Sequence, residues 1–166
     1  MKLLGLSPVC LTSFLLALLV STSAMAISLP EAAVYPVMSP RLSSSFGSRK
    51  HPIKKVSRHH DGVDLAAPKD SPVRAIKAGT IVYADPYGGY GKLVVVQHTD
   101  GMTTHYGHLN SIKAQPGKYV KAGEIIGAVG STGHSTGPHL HLEFRKNGKA
   151  LNPQIFLKDL IGKAEG

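Results

Sequence analysis

The dipeptide Asp100-Gly101 stands between two extended runs, Val94–Thr99 and Met102–His108. Asp-Gly between strand-like segments is a strong hairpin signal, because both residues tolerate the backbone angles of a tight turn between twisted strands. Asn147-Gly148 follows His139–Arg145 in the same way. Ile81-Val82-Tyr83 and Leu93-Val94-Val95-Val96 are further β-branched runs bounded by glycine-rich turns. One short C-terminal helix is expected: Asn152 can cap it, Pro153 suits its first position, and Gln154 to Leu160 follow. The expected class is mainly β, built from antiparallel hairpins.

An internal repeat narrows the architecture. Lys77-Ala78-Gly79-Thr80-Ile81 is echoed by Lys121-Ala122-Gly123-Glu124-Ile125. Two copies of a turn-then-strand unit predict pseudo-symmetric halves of a small barrel or sandwich. Biotinyl and lipoyl carrier domains carry similar repeats. A carrier needs a modified Lys at a hairpin tip within a short acidic or methionine-flanked motif, and no such motif is present.

The chain has 166 residues, which suits one modest domain behind a targeting segment. Lys2 is followed by an apolar stretch ending Phe14 to Val20, then by Ala24-Met25-Ala26. This order is that of a secretory signal peptide, residues 1–26, cleaved after Ala26. Pro8 interrupts the apolar run, and the remainder is short for spanning a bilayer, so no stable membrane insertion is expected after cleavage. Residues 27–40, with Pro30, Pro36 and Pro40, read as an extended lead-in. The compact domain is expected over 41–158, and 159–166 form a tail. The only cysteine, Cys10, lies inside the leader. The mature chain therefore has no thiol for a disulfide, a nucleophile or a metal ligand. The formal charge of +9 suits a polyanionic partner such as cell-wall polymer or anionic lipid more than nucleic acid, since the cations are scattered.

Nine histidines, at 51, 59, 60, 98, 105, 108, 134, 139 and 141, carry the chemistry. His139-Leu140-His141 on a strand projects both imidazoles to one face. Leu140 and Leu142 then face the core, with Phe144 joining them if a bulge shifts the register. Two close imidazoles would repel if both were protonated, and a bound cation or a ligand-plus-base pairing explains keeping both. In His60-Asp61-Gly62-Val63-Asp64, His60 and Asp64 can converge, although His59 and Asp61 are rival choices from spacing alone. Thr104, Tyr106 and His108 alternate along a further strand face. Together the patterns offer three ligands and one or two free imidazoles, as a catalytic zinc with an open water position needs. The run Gly127 to Pro138 lacks the Lys-Ser/Thr ending of a phosphate loop. It reads as a wall of a substrate groove leading into His139.

At this point the chain resembles the lysostaphin-type zinc endopeptidases, the LytM-like murein hydrolases of peptidase family M23. The ordered match runs from about Arg41 to Pro153. It includes Ser45-Phe46-Gly47, His60-x-Gly62-x-Asp64, Tyr106-x-His108-Leu109, Gly130-Ser131-Thr132-Gly133, Thr136-Gly137-Pro138-His139-Leu140-His141-x-Glu143 and Asn152-Pro153. The resemblance implies an antiparallel β-sheet framework with a loop-walled groove. It implies one Zn²⁺ per chain on His60, Asp64 and His141, with His108 and His139 as non-ligand catalytic residues. His59, His98, His105 and His134 match no catalytic position and read as surface or groove-lining. The implied activity is hydrolysis of peptide cross-links in bacterial peptidoglycan, D-Ala–diaminopimelate bonds and glycine bridges both being handled within the family. The leader favours an exported enzyme, periplasmic or else secreted to the cell wall, and with it the D-Ala–diaminopimelate bond. Two alternatives stand beside it: a non-catalytic wall-binding activator of other murein hydrolases, and a related zinc carboxypeptidase trimming terminal D-amino acids. No wall-binding domain follows the matched segment and no coiled coil precedes it, so targeting is expected from the groove, the positive charge or a partner.

Overall fold

The computed structural model describes residues 33–50 and 57–157. The leader, and the end of the expected helix beyond Leu157, lie outside them. Among the described residues the strands are β1 (Arg41–Ser44), β2 (Gly47–Lys50), β3 (Ser57–His60), β4 (Val63–Ala66), β5 (Pro72–Arg74), β6 (Gly79–Pro86), β7 (Lys92–Gln97), β8 (Met102–Leu109), β9 (Ser111–Ile112), β10 (Tyr119–Val120), β11 (Ile125–Ala128), β12 (His139–Lys146) and β13 (Lys149–Leu151). A 3-10 turn, Gly88–Tyr90, links β6 to β7, and the helix α1 (Pro153–Phe156) closes the order. The main sheet runs β1-β4-β12-β8-β7-β6-β10, with β13 on β12. A second sheet is β5-β11-β9, and β2 and β3 form a ribbon. Every pairing is antiparallel.

Both turn dipeptides make hairpins. Asn147 (φ 51°) and Gly148 (φ 76°) both take the positive φ of a two-residue turn between β12 and β13. Gly101 (φ 76°) turns β7 into β8, and Asp100 Oδ1 accepts the Met102 N–H at 2.9 Å. The helix is shorter than the sequence suggests. Asn152 caps it by accepting the Gln154 N–H and Pro153 opens it, but it ends at Phe156 with Leu157 as C-cap.

The repeat is expressed as an exchange of strands. β5, before the first Lys-Ala-Gly turn, pairs with β11, after the second. β10, before the second turn, pairs with β6, after the first. Ala75 ties the crossover by donating to Glu124 O and accepting from the Gly123 N–H. The two sheets share one core, in which Val73 and Ile126 of the second meet Val96, Tyr106, Leu140 and Leu142 of the first. Val37, upstream of β1, is also fully buried there, and the Arg74 N–H donates to Pro36 O.

Strand β12 divides core from site. Leu140, Leu142 and Phe144 point inward at 0 %, 0 % and 2 % exposure, each contributing roughly 1.5–3 kcal/mol of burial. Phe144 turns inward without the bulge on which its place was made conditional: the register with β8 runs unshifted from His141 to Lys146, and a two-residue period already puts 140, 142 and 144 on one face. His139, His141, Glu143 and Arg145 take the other.

On β8 the reverse correction applies. Thr104 and Tyr106 face the core, but His108 does not continue their row. Lys92 pairs with Leu109 while Val94 pairs with Tyr106, so β8 holds one residue more than β7 there. His108 sits in this bulge at φ 59°, which re-aims its side chain.

Candidate metal centre

Strand alternation delivers two of the site's side chains. β4 buries Val63 and Leu65, leaving Asp64 on the outer face. His141 lies directly opposite Asp64 on β12, and cross-strand partners share a face. His60 ends β3, one tight turn before β4. Gly62 permits that turn, since a side chain there would run into the Leu142 carbonyl oxygen.

His60 Nε2 lies 3.1 Å from both Asp64 Oδ1 and His141 Nδ1, and His141 Nδ1 lies 2.9 Å from Asp64 Oδ1. The outward nitrogens identify the tautomers. His60 Nδ1–H donates to Ser45 O at 2.9 Å, and His141 Nε2–H donates to Glu143 Oε1 at 2.9 Å. In the neutral rings each inward nitrogen keeps its lone pair. Two lone pairs and a carboxylate oxygen thus converge with their own N–H groups turned away. A proton can bridge one pair of these acceptors, whereas a metal ion satisfies all three. Two imidazoles and a carboxylate are suitable donors for such an ion.

The electrostatics agree. Burial pushes the Asp64 carboxyl up, but hydrogen bonds with His141 and His60 overcome this and hold it well below the usual carboxylate range. Burial lowers His141, yet Asp64 and Glu143 together raise it to about 9. Both shifts are those of a pocket that favours positive charge.

Two more imidazoles border the cluster. His108 Nδ1–H donates to Thr132 O at 2.7 Å, and His139 Nδ1–H to Gly137 O at 2.8 Å. Nε2 is then the basic nitrogen of each. Their ring centres are 4.8 Å apart, His108 is 5.6 Å from the His141 ring, and His139 Nε2 is 3.6 Å from Asp64 Oδ1. Burial, reinforced by His139 and His141, keeps His108 below its ordinary value.

The glycine-rich loop after β11 is fastened beside them by Thr132. Its hydroxyl donates to Leu109 O at 2.9 Å and accepts the Lys92 N–H at 3.0 Å. Gly133 and Gly91 touch backbone to backbone, both at positive φ, with no room for a side chain on either. His134 N–H donates to Gly89 O at 2.8 Å, so this loop and the 3-10 turn form one continuous wall.

The five residues that the resemblance implies, His60, Asp64, His108, His139 and His141, thus lie together, and the rival side chains lie elsewhere. Asp61 accepts from Arg145 Nη2 at 3.2 Å instead of joining the cluster. His59 is exposed, with its ring edge-on to Phe46 at 5.0 Å. His134 is exposed on the loop, and His105 is half-buried opposite Glu143. His98 corrects the surface reading. It is 3 % exposed, with Nδ1–H donating to Ala78 O and Nε2 2.8 Å from the Thr104 hydroxyl. Thr104 in turn lies 2.9 Å from the Tyr106 hydroxyl, which accepts the Ile76 N–H. His98 thus satisfies a buried polar chain.

What sequence reasoning missed lies behind His141. Glu143 is 1 % exposed. Its Oε1 accepts from the Tyr90 hydroxyl at 2.8 Å as well as from His141, and its Oε2 accepts Arg145 Nε–H at 2.6 Å. Arg145 Nη2 also donates to the Tyr90 hydroxyl at 3.1 Å. Burial would raise Glu143, but His141, Arg145 and Tyr90 bring it down to about 2. The available signal was the strand period, which puts 139, 141, 143 and 145 on one face.

The model of Peptidase family M23 matches residues 58–153. DD-carboxypeptidase/endopeptidase Mpg of Neisseria meningitidis is 48 % identical over 120 residues, covering 72 % of this chain and 28 % of Mpg. Peptidoglycan DD-endopeptidase ShyA of Vibrio cholerae is 40 % identical over 120 residues, covering 71 % of this chain and 28 % of ShyA. The chain thus spans little more than a quarter of the length of these relatives. The catalytic domain of lysostaphin from Staphylococcus simulans superposes with a TM-score of 0.65 at 37 % identity, covering 72 % of this chain and 92 % of that domain. With the family model matching more than half its length, and with this fold, the chain belongs to peptidase family M23.

Proposed function

We propose that this protein is a zinc-dependent endopeptidase that hydrolyses the peptide cross-links of bacterial peptidoglycan. The observation that carries the reading is the convergence of His60 Nε2, Asp64 Oδ1 and His141 Nδ1 beside two imidazoles whose Nδ1–H groups are already engaged. These three atoms would hold one zinc ion per chain. Zinc bound there supplies Lewis acidity, polarising the scissile carbonyl and bringing the pKa of a water toward about 7.

The remaining work falls to His108 and His139. The Thr132 and Gly137 carbonyls hold both rings in the tautomer with Nε2 as acceptor. One Nε2 takes a proton from the attacking water and passes it to the leaving amine, the general acid–base role of a positioned imidazole. The other, once protonated, stabilises negative charge growing on the carbonyl oxygen. With all five side chains in place, a non-catalytic activator is the weaker reading.

The substrate rests on the relatives, two of which are named for DD-endopeptidase or peptidoglycan activity. D-Ala–diaminopimelate is the bond we favour. The leader reading of residues 1–26 supports export, to the periplasm or to the cell wall beyond it. Among the described residues no helix is long and apolar enough to cross a membrane. The relative Mpg is named carboxypeptidase as well as endopeptidase, which keeps terminal D-amino-acid trimming as a second reading. Mass spectrometry of defined muropeptides separates the two. The expected outcome is conversion of cross-linked dimers to monomers with a new amine terminus. Loss of a terminal D-Ala from monomers alone would establish the carboxypeptidase, and unchanged muropeptides would refute both.

A further inference from the structure

The third and fourth residues of the site face of β12, Glu143 and Arg145, give no atom to the three-atom cluster or to the pair of Nε2 atoms, yet Glu143 is the most deeply buried acid among the described residues. An ion pair buried this far is an expensive device unless its geometry performs a task. Each carboxylate position facing its neighbours is used. Oε1 accepts from His141 Nε2–H at 2.9 Å and from the Tyr90 hydroxyl at 2.8 Å, and Oε2 accepts from Arg145 Nε–H at 2.6 Å. Arg145 is anchored in turn by Asp61 at 3.2 Å, the residue next to His60. The chain of bonds therefore starts beside one proposed ligand and ends on another.

We propose that Glu143 is the positioning residue for His141. Held by Tyr90 and Arg145, it keeps the His141 proton on Nε2 and the lone pair of Nδ1 aimed at Asp64 and His60. This inference rests on the metal reading above. Without Glu143, the His141 ring is free to place its proton on Nδ1 or to rotate, and either event removes one of three donors. Outer-shell partners of this kind tune metal affinity by about 10–100-fold. Tyr90 belongs to the 3-10 turn against which the Gly133 loop packs. The groove wall and the metal ligand are thus braced by the same carboxylate.

The test uses Glu143→Gln and Tyr90→Phe in the full chain. Glu143→Gln keeps the volume but turns an amide N–H₂ toward the Arg145 or Tyr90 donor. Tyr90→Phe removes one donor and leaves every charge in place. Zinc affinity is measured by competition with a chelator of known affinity. The His141 Nε2 proton is followed by NMR in the zinc-loaded protein, and thermal unfolding of the metal-free protein reports the fold. Glu143→Gln is expected to weaken zinc binding at least tenfold and to lose the slowly exchanging Nε2 proton. Tyr90→Phe is expected to weaken binding severalfold with an unchanged unfolding temperature, and it carries the test alone if Glu143→Gln does not fold. A purely structural role would lower the unfolding temperature and leave the affinity of the folded protein unchanged. Affinities within twofold of wild type in the folded variants would overturn the proposal while leaving the metal site standing. A wild-type protein that takes up no zinc would overturn both.

Discussion

Replacing His141 with alanine is expected to remove zinc binding and hydrolysis together. The change deletes Nδ1 from a three-donor set whose atoms lie within 3.1 Å of one another. It also strips Glu143, 1 % exposed, of one of its hydrogen-bond donors. Losing the Lewis acid costs several kcal/mol of transition-state stabilisation, so turnover on sacculi should fall by about 10⁴-fold or more. Metal analysis of the purified variant and release of soluble muropeptides read the two effects separately. Digestion at the wild-type rate would remove His141 from the site.

His108→Ala should separate what His141→Ala joins. The Nδ1–H of His108 is spent on Thr132 O at 2.7 Å, and its ring lies 5.6 Å from that of His141, farther than the 2.9–3.1 Å separations within the cluster. Zinc content should therefore stay near wild type while turnover falls by about 10²–10⁴-fold, the usual worth of a general acid–base group. The backbone qualifies the choice of substitution. His108 sits at φ 59°, where most side chains are strained and asparagine is tolerated better. His108→Asn should match the alanine variant in activity and be the more stable of the two. Loss of zinc from either variant would mean that His108 is a ligand and not a proton carrier.

The parts of this molecule legible in its sequence are those set by neighbours along the chain. Asn147-Gly148 announces its turn because both residues must take positive φ. His139 and His141 share a face because a strand has a period of two. The Lys-Ala-Gly repeat forecast two related halves, although the exchange of β5 and β10 between them emerges only from pairing. Spacing alone could not choose between Asp61 and Asp64. The choice needs β4, whose buried Val63 and Leu65 turn Asp64 outward, and the close passage of Gly62 over Leu142. The place of His108 was hidden for a related reason. Its bulge exists only as a mismatch with β7, where Lys92 meets Leu109 and Val94 meets Tyr106. Glu143 was overlooked because Tyr90, one of its donors, lies 53 residues away. In each case the missing information was a contact between segments far apart in the chain, a strand register for Asp64 and His108 and a turn packed on β12 for Glu143, which local propensity does not encode.

In the proposed function, chemistry at this site depends on one metal ion held by His60, Asp64 and His141. This dependence is tested most directly by preparing the metal-free protein, adding zinc in steps, and measuring new amine termini released from cross-linked muropeptides at each step. No cleavage is expected before zinc is added, then a linear rise that levels off at about one equivalent per chain, as a single three-donor site requires. Cleavage by the metal-free protein, or a filled zinc site that releases no amine, would contradict that dependence.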